Sequence, residues 1–282
     1  MQTKYREKLT YCGDYIRGEV YPTFRGAGKR RGKFRSTSEV QKRLNERAAE
    51  FRLSDLIHAN FTRRDIALDL TYADGNLPDD DAAFRRDVRN YIARVKRIYR
   101  KAGIELRYIV TLAWSGKGRP HVHMILTGGV SFFTLRECWG LGRANWRPLE
   151  FDERGVMDLA RYIAGQKKAG KAGRGHERKV GERRWSGSRN LVRPAERTNV
   201  TKYSRAVMEE IADSSNPQRI FMARYPGYSL SEFPEVRYNS VNKSFYMTFM
   251  LYKPDSDNLE SYARRERRRD GATKPKKQSA GD

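Results

Sequence analysis

Cysteine is scarce in this sequence of 282 residues, and long apolar runs are lacking. The two cysteines, Cys12 and Cys138, lie far apart and have no partners at metal-binding spacing, which argues against a disulfide framework. No run approaches the ~18 apolar residues of a transmembrane helix, and the first residues, MQTKYREKLT, lack the apolar segment of a signal peptide. We therefore expect a cytoplasmic protein with no membrane partner.

Acidic residues are also few relative to basic ones. The chain has 58 Lys and Arg against 34 Asp and Glu, which gives a formal net charge of +24 and a pI of about 10.2. A field of that sign concentrates polyanions around a protein, so nucleic acid is the leading candidate partner. One alternative is an anionic membrane surface, for which no amphipathic basic helix stands out. The other is a non-catalytic basic protein, such as a ribosome-associated one.

Apolar periodicity predicts a chain in which helices and strands are mixed. Residues 65–72 alternate between apolar and polar, as in a half-buried strand, and apolar residues recur at helical spacing over 81–101. The predicted elements are an irregular segment (1–35), helices (38–57, 81–101, 134–139, 155–168 and 201–213), strands (65–72, 105–114, 119–128 and 145–151) and a last β-hairpin (227–252). His58, just past the first helix, is predicted to be a cap or a surface residue rather than a ligand.

Two histidines, His121 and His123, are separated by one residue on a predicted strand. Because side chains alternate along a strand, both imidazoles point to the same face, where two nitrogens on a rigid sheet can chelate a divalent cation. Two surface histidines are the alternative interpretation. A third ligand is predicted to be Gln166 or, as second choice, Asp69. Such a set suits Mn²⁺ or Mg²⁺ acting as a Lewis acid on a phosphate, with Zn²⁺ as the alternative cation.

Tyr162 is one of 16 tyrosines, and its surroundings in the sequence single it out. Gln166 lies four residues later and therefore shares its helical face, and Lys167 and Lys168 follow. A phenol with a reference pKa near ~10 needs a neighbouring cation to act as a nucleophile at neutral pH. We therefore predict catalytic roles for Tyr162, Lys167 and Lys168; core packing of Tyr162 on an amphipathic helix is the alternative.

Basic residues are concentrated after Tyr162. Residues 167–193 hold ten Lys or Arg, two Glu and five Gly, and are predicted to form a loop. Arginine binds phosphate bidentately and tryptophan stacks on bases, which suits a channel for single-stranded DNA; a solvated loop with one packed tryptophan is the alternative. The predicted DNA-binding residues are Arg119, Arg183, Arg184, Trp185, Arg189 and Arg193. The basic tail, 256–282, is predicted to be disordered.

The motifs together carry a resemblance to a known family. GRPHVHMIL (118–126) is similar to the histidine motif, and RYIAGQKK (161–168) resembles the tyrosine motif, of the rolling-circle replication initiators of plasmids and single-stranded DNA phages, within the HUH endonuclease superfamily. Four further blocks look like one subfamily of these initiators: YCGDY (11–15), ANFTRRDIALDLTY (59–72), RRWSGSRNL (183–191) and YPGYSLSEFPEVRYNSVNKSFYM (225–247). The resemblance covers nearly the whole chain except the tail.

Two positions depart from the family pattern. Many initiators have a lysine three residues after the tyrosine, where this chain has Gly165, and an acidic residue on the strand before the histidine motif, where this chain has LAW (112–114). The spacing of Tyr162 and Gln166 is similar to that of the single-strand transposases of the same superfamily. A transposase or mobilisation relaxase is therefore the alternative within the enzyme class, and a non-catalytic DNA- or RNA-binding protein is the alternative outside it.

The resemblance implies an α+β fold with a central antiparallel β-sheet and flanking helices. It divides the chain into an N-terminal arm and helix (1–58), a nicking domain with a C-terminal β-hairpin (59–255) and the basic tail (256–282). It also implies metal-dependent, site-specific nicking and joining of single-stranded DNA at a replication origin, through a 5′-phosphotyrosine intermediate. The sequence holds no phosphate-binding GxxxxGK[ST] motif, so a host helicase and a host polymerase are the expected partners.

Overall fold

Two antiparallel sheets with helices on their faces form this chain, as described by a computed structural model over residues 4–23, 39–113, 119–156, 159–160 and 185–259. The α+β class is therefore confirmed, with two sheets rather than one. The strands are β1 (Lys4–Cys12), β2 (Tyr15–Thr23), β3 (Ile66–Thr71), β4 (Tyr108–Ala113), β5 (His121–Leu126), β6 (Ala144–Pro148), β7 (Ser186–Gly187), β8 (Ala195–Asn199), β9 (Ser229–Leu230), β10 (Glu235–Asn239) and β11 (Ser244–Tyr252). The helices with full bounds are α1 (Glu39–Asn60), α2 (Asp81–Lys101), α3 (Phe132–Trp139), α4 (Arg205–Asp213) and α5 (Pro217–Arg224).

The first sheet has the strand order β10–β11–β2–β1–β8, with β9 beside β11. Its strands β1 and β2 form a hairpin that turns at Gly13, whose φ of +64° suits a residue without a Cβ. The prediction of an irregular segment over 1–35 is therefore wrong for residues 4–23. Because β2 pairs with β11, residues on both sides of the predicted boundary at 58 share one sheet.

The second sheet has the order β6–β3–β5–β4–β7 and carries the histidines. The predicted hairpin is confirmed, since β4 and β5 pair antiparallel, while its turn, 115–118, lies outside the described residues. One face of the sheet packs on α2 and α3 through a single apolar cluster. The helix α2 has the bounds that the sequence predicts, and Asp80 caps its first turn by accepting a hydrogen bond from the Ala83 N–H at 2.7 Å.

Helix α1 packs between the two sheets. Leu53 and Ile57 join Tyr15 of β2 with Ile109 and Ile125 of the second sheet in one buried cluster. A buried ion pair also connects α1 to the first sheet, because the Arg17 guanidinium donates to both carboxylate oxygens of Asp55 at 2.7–3.1 Å. Helix α1 therefore fixes the position of both sheets relative to each other.

His58 lies in the last turn of α1 and is buried, so its prediction as a cap or surface residue is wrong. Its ring stacks on Tyr15 with centroids 4.3 Å apart, and its Nε2 accepts a hydrogen bond from the Val156 N–H at 2.9 Å. Gly155 makes this approach feasible, because a Cβ there would lie 2.0 Å from His58 Nε2. Burial lowers the pKa of His58 to about 3.

The remaining predicted elements are largely confirmed. Helix α3 and strand β6 lie where the sequence predicts a short helix and a strand, α4 falls within the predicted helix 201–213, and β10 and β11 form the predicted last hairpin. The predicted helix 155–168 is described as helical only at 159–160, and the predicted basic tail lies outside the described residues from 260 onward. Among the described helices, none is long and apolar enough to cross a membrane.

Candidate metal centre and nucleic-acid groove

His121 and His123 lie side by side on β5, on the face of the second sheet that is turned away from α2 and α3. Between them Val122 faces the opposite way and is fully buried in the apolar cluster. The two imidazole centroids are 5.6 Å apart. The predicted sharing of one face is therefore confirmed, and the central strand position holds the pair in a fixed geometry.

Asp69 lies directly beside His123 because β3 pairs with β5 in register, with Asp69 opposite His123 and Thr71 opposite His121. The Asp69 carboxylate oxygen Oδ1 is 2.6 Å from His123 Nδ1. This contact favours the imidazole tautomer with its proton on Nδ1 and its lone pair on Nε2, the form in which Nε2 can ligate a cation. The structure thus places Asp69 where it orients His123, a position that the sequence offered only as a second choice for a metal ligand.

His121 is the more exposed of the two imidazoles. Partial burial and then the nearby His123 ring lower the pKa of His121 below its ordinary value. The neutral form therefore predominates at neutral pH, and neutral imidazole is the form that binds a cation.

The two imidazoles fit a shared divalent cation. Imidazole nitrogens bind such cations at about 2.0–2.1 Å, which places two ring centroids on one ion about 5 Å apart, close to the separation found here. In the part of the chain that the structure describes, no group of three or more His, Cys, Asp or Glu side chains could hold a metal ion. The described residues thus supply two imidazole ligands, and a further ligand has to come from another residue or from the substrate.

Other side chains in the same row of the sheet were not singled out by the sequence. Thr111 on β4 is opposite His123, is buried, and its hydroxyl has no hydrogen-bond partner among the described residues. On the far side, Asn145 of edge strand β6 is opposite Asp69, and Arg147 follows two residues later on the same face; both are exposed. Only strand pairing reveals these neighbours, since they are distant in sequence.

The predicted catalytic residues Tyr162, Lys167 and Lys168, and the first-choice ligand Gln166, lie outside the described residues. The chain leading to them is described as far as Ala160. Ala160 is buried in the cluster that holds Ile109 and Ile125, and its N–H donates to the Val156 carbonyl at 2.8 Å. Ile125 is two residues after His123 on the same strand, so Ala160 packs on the face of the sheet that carries the histidines.

A groove runs between α1 and the segment 185–196. Trp185 and Phe51 line it, together with the exposed arginines Arg52, Arg189 and Arg193, none of which forms an ion pair with another described residue. Trp185 precedes β7, the strand that pairs with β4, and packs against the cluster that holds Ile109 and Ile125. The groove therefore opens on the histidine face of the sheet. The predicted DNA-binding residues Arg183 and Arg184 lie outside the described residues.

Arg119 has a structural contact that the sequence did not predict. Its guanidinium pairs with Asp74 and donates to the Tyr72 carbonyl, in the loop that follows β3. These bonds hold the start of β5 against that loop, two residues before His121. DNA binding by Arg119 stays a prediction.

Comparison with known proteins gives a family match that covers the candidate site. Residues 65–168 match the sequence model of a family of replication-associated proteins, described as Replication-associated protein ORF2. The matched segment includes Asp69, both β5 histidines, Tyr162 and Gln166. No curated protein and no solved structure matches the chain. The family match supports a replication initiator that binds DNA, which agrees with the replication role that the sequence motifs predict.

Proposed function

We propose that this protein initiates rolling-circle replication by nicking one DNA strand, with Tyr162 as nucleophile and a divalent cation held by His121 and His123. The observation that carries the proposal is the oriented histidine pair, in which Asp69 fixes the His123 ring with the lone pair on Nε2. The family match over the same segment adds a replication context. Nicking at an origin, rather than non-specific cleavage, rests on the sequence resemblance.

The cation would be Mn²⁺ or Mg²⁺, with His121, His123 and Gln166 as its protein ligands. When bound, it would act as a Lewis acid on the oxygens of the scissile phosphate. Asp69 would then orient His123 from behind, as carboxylates commonly do for histidine ligands. This role differs from the direct ligation that the sequence offered as second choice.

The chemical step is a transfer of the phosphoryl group between two oxygens. The Tyr162 oxygen forms a bond to phosphorus, the bond from phosphorus to the 3′ oxygen breaks, and the phenol proton leaves as the 3′ oxygen gains one. One phosphodiester is thus exchanged for another, so the step is reversible and permits rejoining. Lys167 and Lys168 are proposed to lower the pKa of the phenol or to neutralise charge on the phosphate. The freed 3′-OH would prime a host polymerase, with a host helicase opening the duplex.

Single-stranded DNA is proposed to reach the site through the groove between α1 and segment 185–196. Its arginines can bind backbone phosphates, and Trp185 can stack on a base. The groove opens on the histidine face, so a strand lying in it would pass towards His123.

Covalent capture of DNA tests the proposal. We would incubate the protein with Mn²⁺ and a tiled set of single-stranded oligonucleotides covering the DNA around its gene, and separate the products on a denaturing gel. Wild type should give a protein–DNA adduct with one oligonucleotide and a free 3′-OH product. Tyr162→Phe should give no adduct while binding that oligonucleotide as wild type does, because it lacks only the attacking oxygen.

Two variants identify the ligands and the matched control. His123→Ala should abolish the adduct at all Mn²⁺ concentrations that support wild type, whereas Tyr238→Phe, which removes the hydroxyl of an exposed tyrosine on β10, should leave it unchanged. Adduct formation by Tyr162→Phe would show that another residue is the nucleophile. A wild-type protein that binds the oligonucleotides but never forms an adduct would instead be a non-catalytic DNA-binding protein.

A further inference from the structure

Helix α2 carries an unusual concentration of positive charge on its outer side. Its buried residues are Phe84, Val88, Tyr91, Val95 and Tyr99, which pack into the apolar cluster of the second sheet. Seven basic residues of the helix are exposed: Arg86, Arg89, Arg94, Lys96, Arg97, Arg100 and Lys101. At about 100° per residue, all seven fall within about 80° of the direction opposite the buried side. They form one stripe, which we call the α2 stripe.

The α2 stripe has no internal neutralisation. The two acidic residues of the helix lie outside the stripe, where Asp81 pairs with Arg85 and Asp87 accepts a hydrogen bond from the Tyr72 hydroxyl. None of the seven basic side chains forms an ion pair with another described residue. Arginine side chains on a solvated helix usually alternate with acidic ones that stabilise the helix, so this stripe keeps uncompensated charge at a cost in mutual repulsion. That arrangement points to an anionic ligand.

The spacing of the stripe suits an extended polyanion. From Arg86 to Lys101 the helix rises about 22 Å, and duplex DNA carries one negative charge per about 1.7 Å of its axis. A row of cations on a straight, rigid helix matches a phosphate backbone of fixed geometry, whereas the stripe offers no exposed aromatic ring for stacking unpaired bases. The ligand class is therefore the backbone of a nucleic-acid duplex.

The location of the stripe separates it from the candidate nicking site. Helix α2 covers one face of the second sheet, and the histidine pair and the arginine-lined groove lie on the other. We propose that the α2 stripe is a second, sequence-independent binding surface for duplex DNA, which holds the unmelted duplex while a single strand occupies the histidine face. Duplex binding by this stripe does not depend on the proposed nicking activity.

Duplex and single-strand binding measured in parallel test this proposal. The variant Arg86→Gln, Arg89→Gln, Arg97→Gln and Arg100→Gln removes four charges, and glutamine is a good helix former. The matched control, Arg63→Gln, Arg64→Gln, Arg219→Gln and Lys243→Gln, removes four exposed charges elsewhere. Binding of a short duplex and of one of its strands would be followed by fluorescence anisotropy over a series of salt concentrations.

The α2 variant should bind duplex about tenfold more weakly or worse, with a slope of log affinity against log salt smaller by about 3 to 4, while its single-strand binding stays within about twofold of wild type. The control should lose clearly less duplex affinity. Equal losses in both variants would overturn the proposal, as would an α2 variant that keeps its duplex affinity or loses affinity only for structured RNA. Absence of nicking in wild type would contradict the proposed function and leave these binding results to stand separately.

Discussion

At the scale of single residues, Asp69 is the informative member of the candidate site. It bonds His123 Nδ1 and lies on a neighbouring strand in register with that histidine. The sequence could predict that Asp69 shares the histidine face only on the assumption that β3 and β5 are neighbours, and that assumption is confirmed. Its contact with the imidazole could not be predicted, since it depends on register and rotamer rather than on spacing in the chain.

Asp69→Ala should therefore weaken the response to metal rather than the chemistry itself. Loss of a carboxylate that orients a histidine ligand commonly costs about 10–100-fold in metal affinity, so the Mn²⁺ concentration for half-maximal adduct formation should rise by that factor. Saturating Mn²⁺ should restore most of the adduct yield. Asp79→Ala, which removes an exposed carboxylate in the loop before α2, is the matched control and should behave as wild type. A loss of adduct that no Mn²⁺ concentration restores would contradict the orienting role.

At the scale of helices and strands, the sequence predicts best where one apolar period is unbroken. Strand β3 and helix α2 follow the predicted bounds because every interior position is apolar. Strand β1 was missed because Glu7 occupies an interior position, where it is buried and accepts a hydrogen bond from Tyr225, a residue 218 positions away. Strands β7 and β8 were missed because they are short and lack buried apolar side chains.

Helix α1 shows how an element can hold the approach to the site together. Its His58 accepts a hydrogen bond from Val156, whose carbonyl in turn accepts from Ala160, two residues before Tyr162. The His58 ring must be neutral to accept that bond. Burial lowers its pKa to about 3, from an ordinary value near 6.5. In the unfolded chain the ring gains its proton near pH 6.5, so the unfolded state binds more protons between those two values.

The free energy of unfolding should therefore fall as the pH drops from about 6.5 towards 3, by up to about 1.4 kcal/mol per pH unit from this residue. Its contribution is complete above pH 6.5. Urea unfolding at a series of pH values would measure the slope. His58→Gln keeps an acceptor for the Val156 N–H and cannot gain a proton, so its slope should be shallower by about one proton over this range. Equal slopes in wild type and variant would show that His58 is not the group responsible.

At the scale of the whole molecule, positive charge lies on two sides of one sheet. Helix α1 and segment 185–196 frame a groove on the histidine face, and α2 carries its stripe on the opposite face. The two surfaces also differ in chemistry. The groove combines arginines with Trp185, which suits unpaired bases, whereas the α2 stripe has charge alone. A net charge of +24 is thus divided between surfaces that suit different forms of DNA.

The groove should respond differently to loss of charge and to loss of its tryptophan. The triple variant Arg52→Gln, Arg189→Gln and Arg193→Gln should reduce the salt slope of single-strand binding by about 2, since each phosphate contact on a single strand contributes about 0.7. Trp185→Ala should weaken the same binding by about 1–3 kcal/mol through lost stacking while leaving the salt slope near that of wild type. Duplex affinity should change little in either variant, which makes the α2 variant their reciprocal control. If the triple variant lost duplex and single-strand affinity equally, the charge of the molecule would act as one diffuse field, and the assignment of separate surfaces would fail.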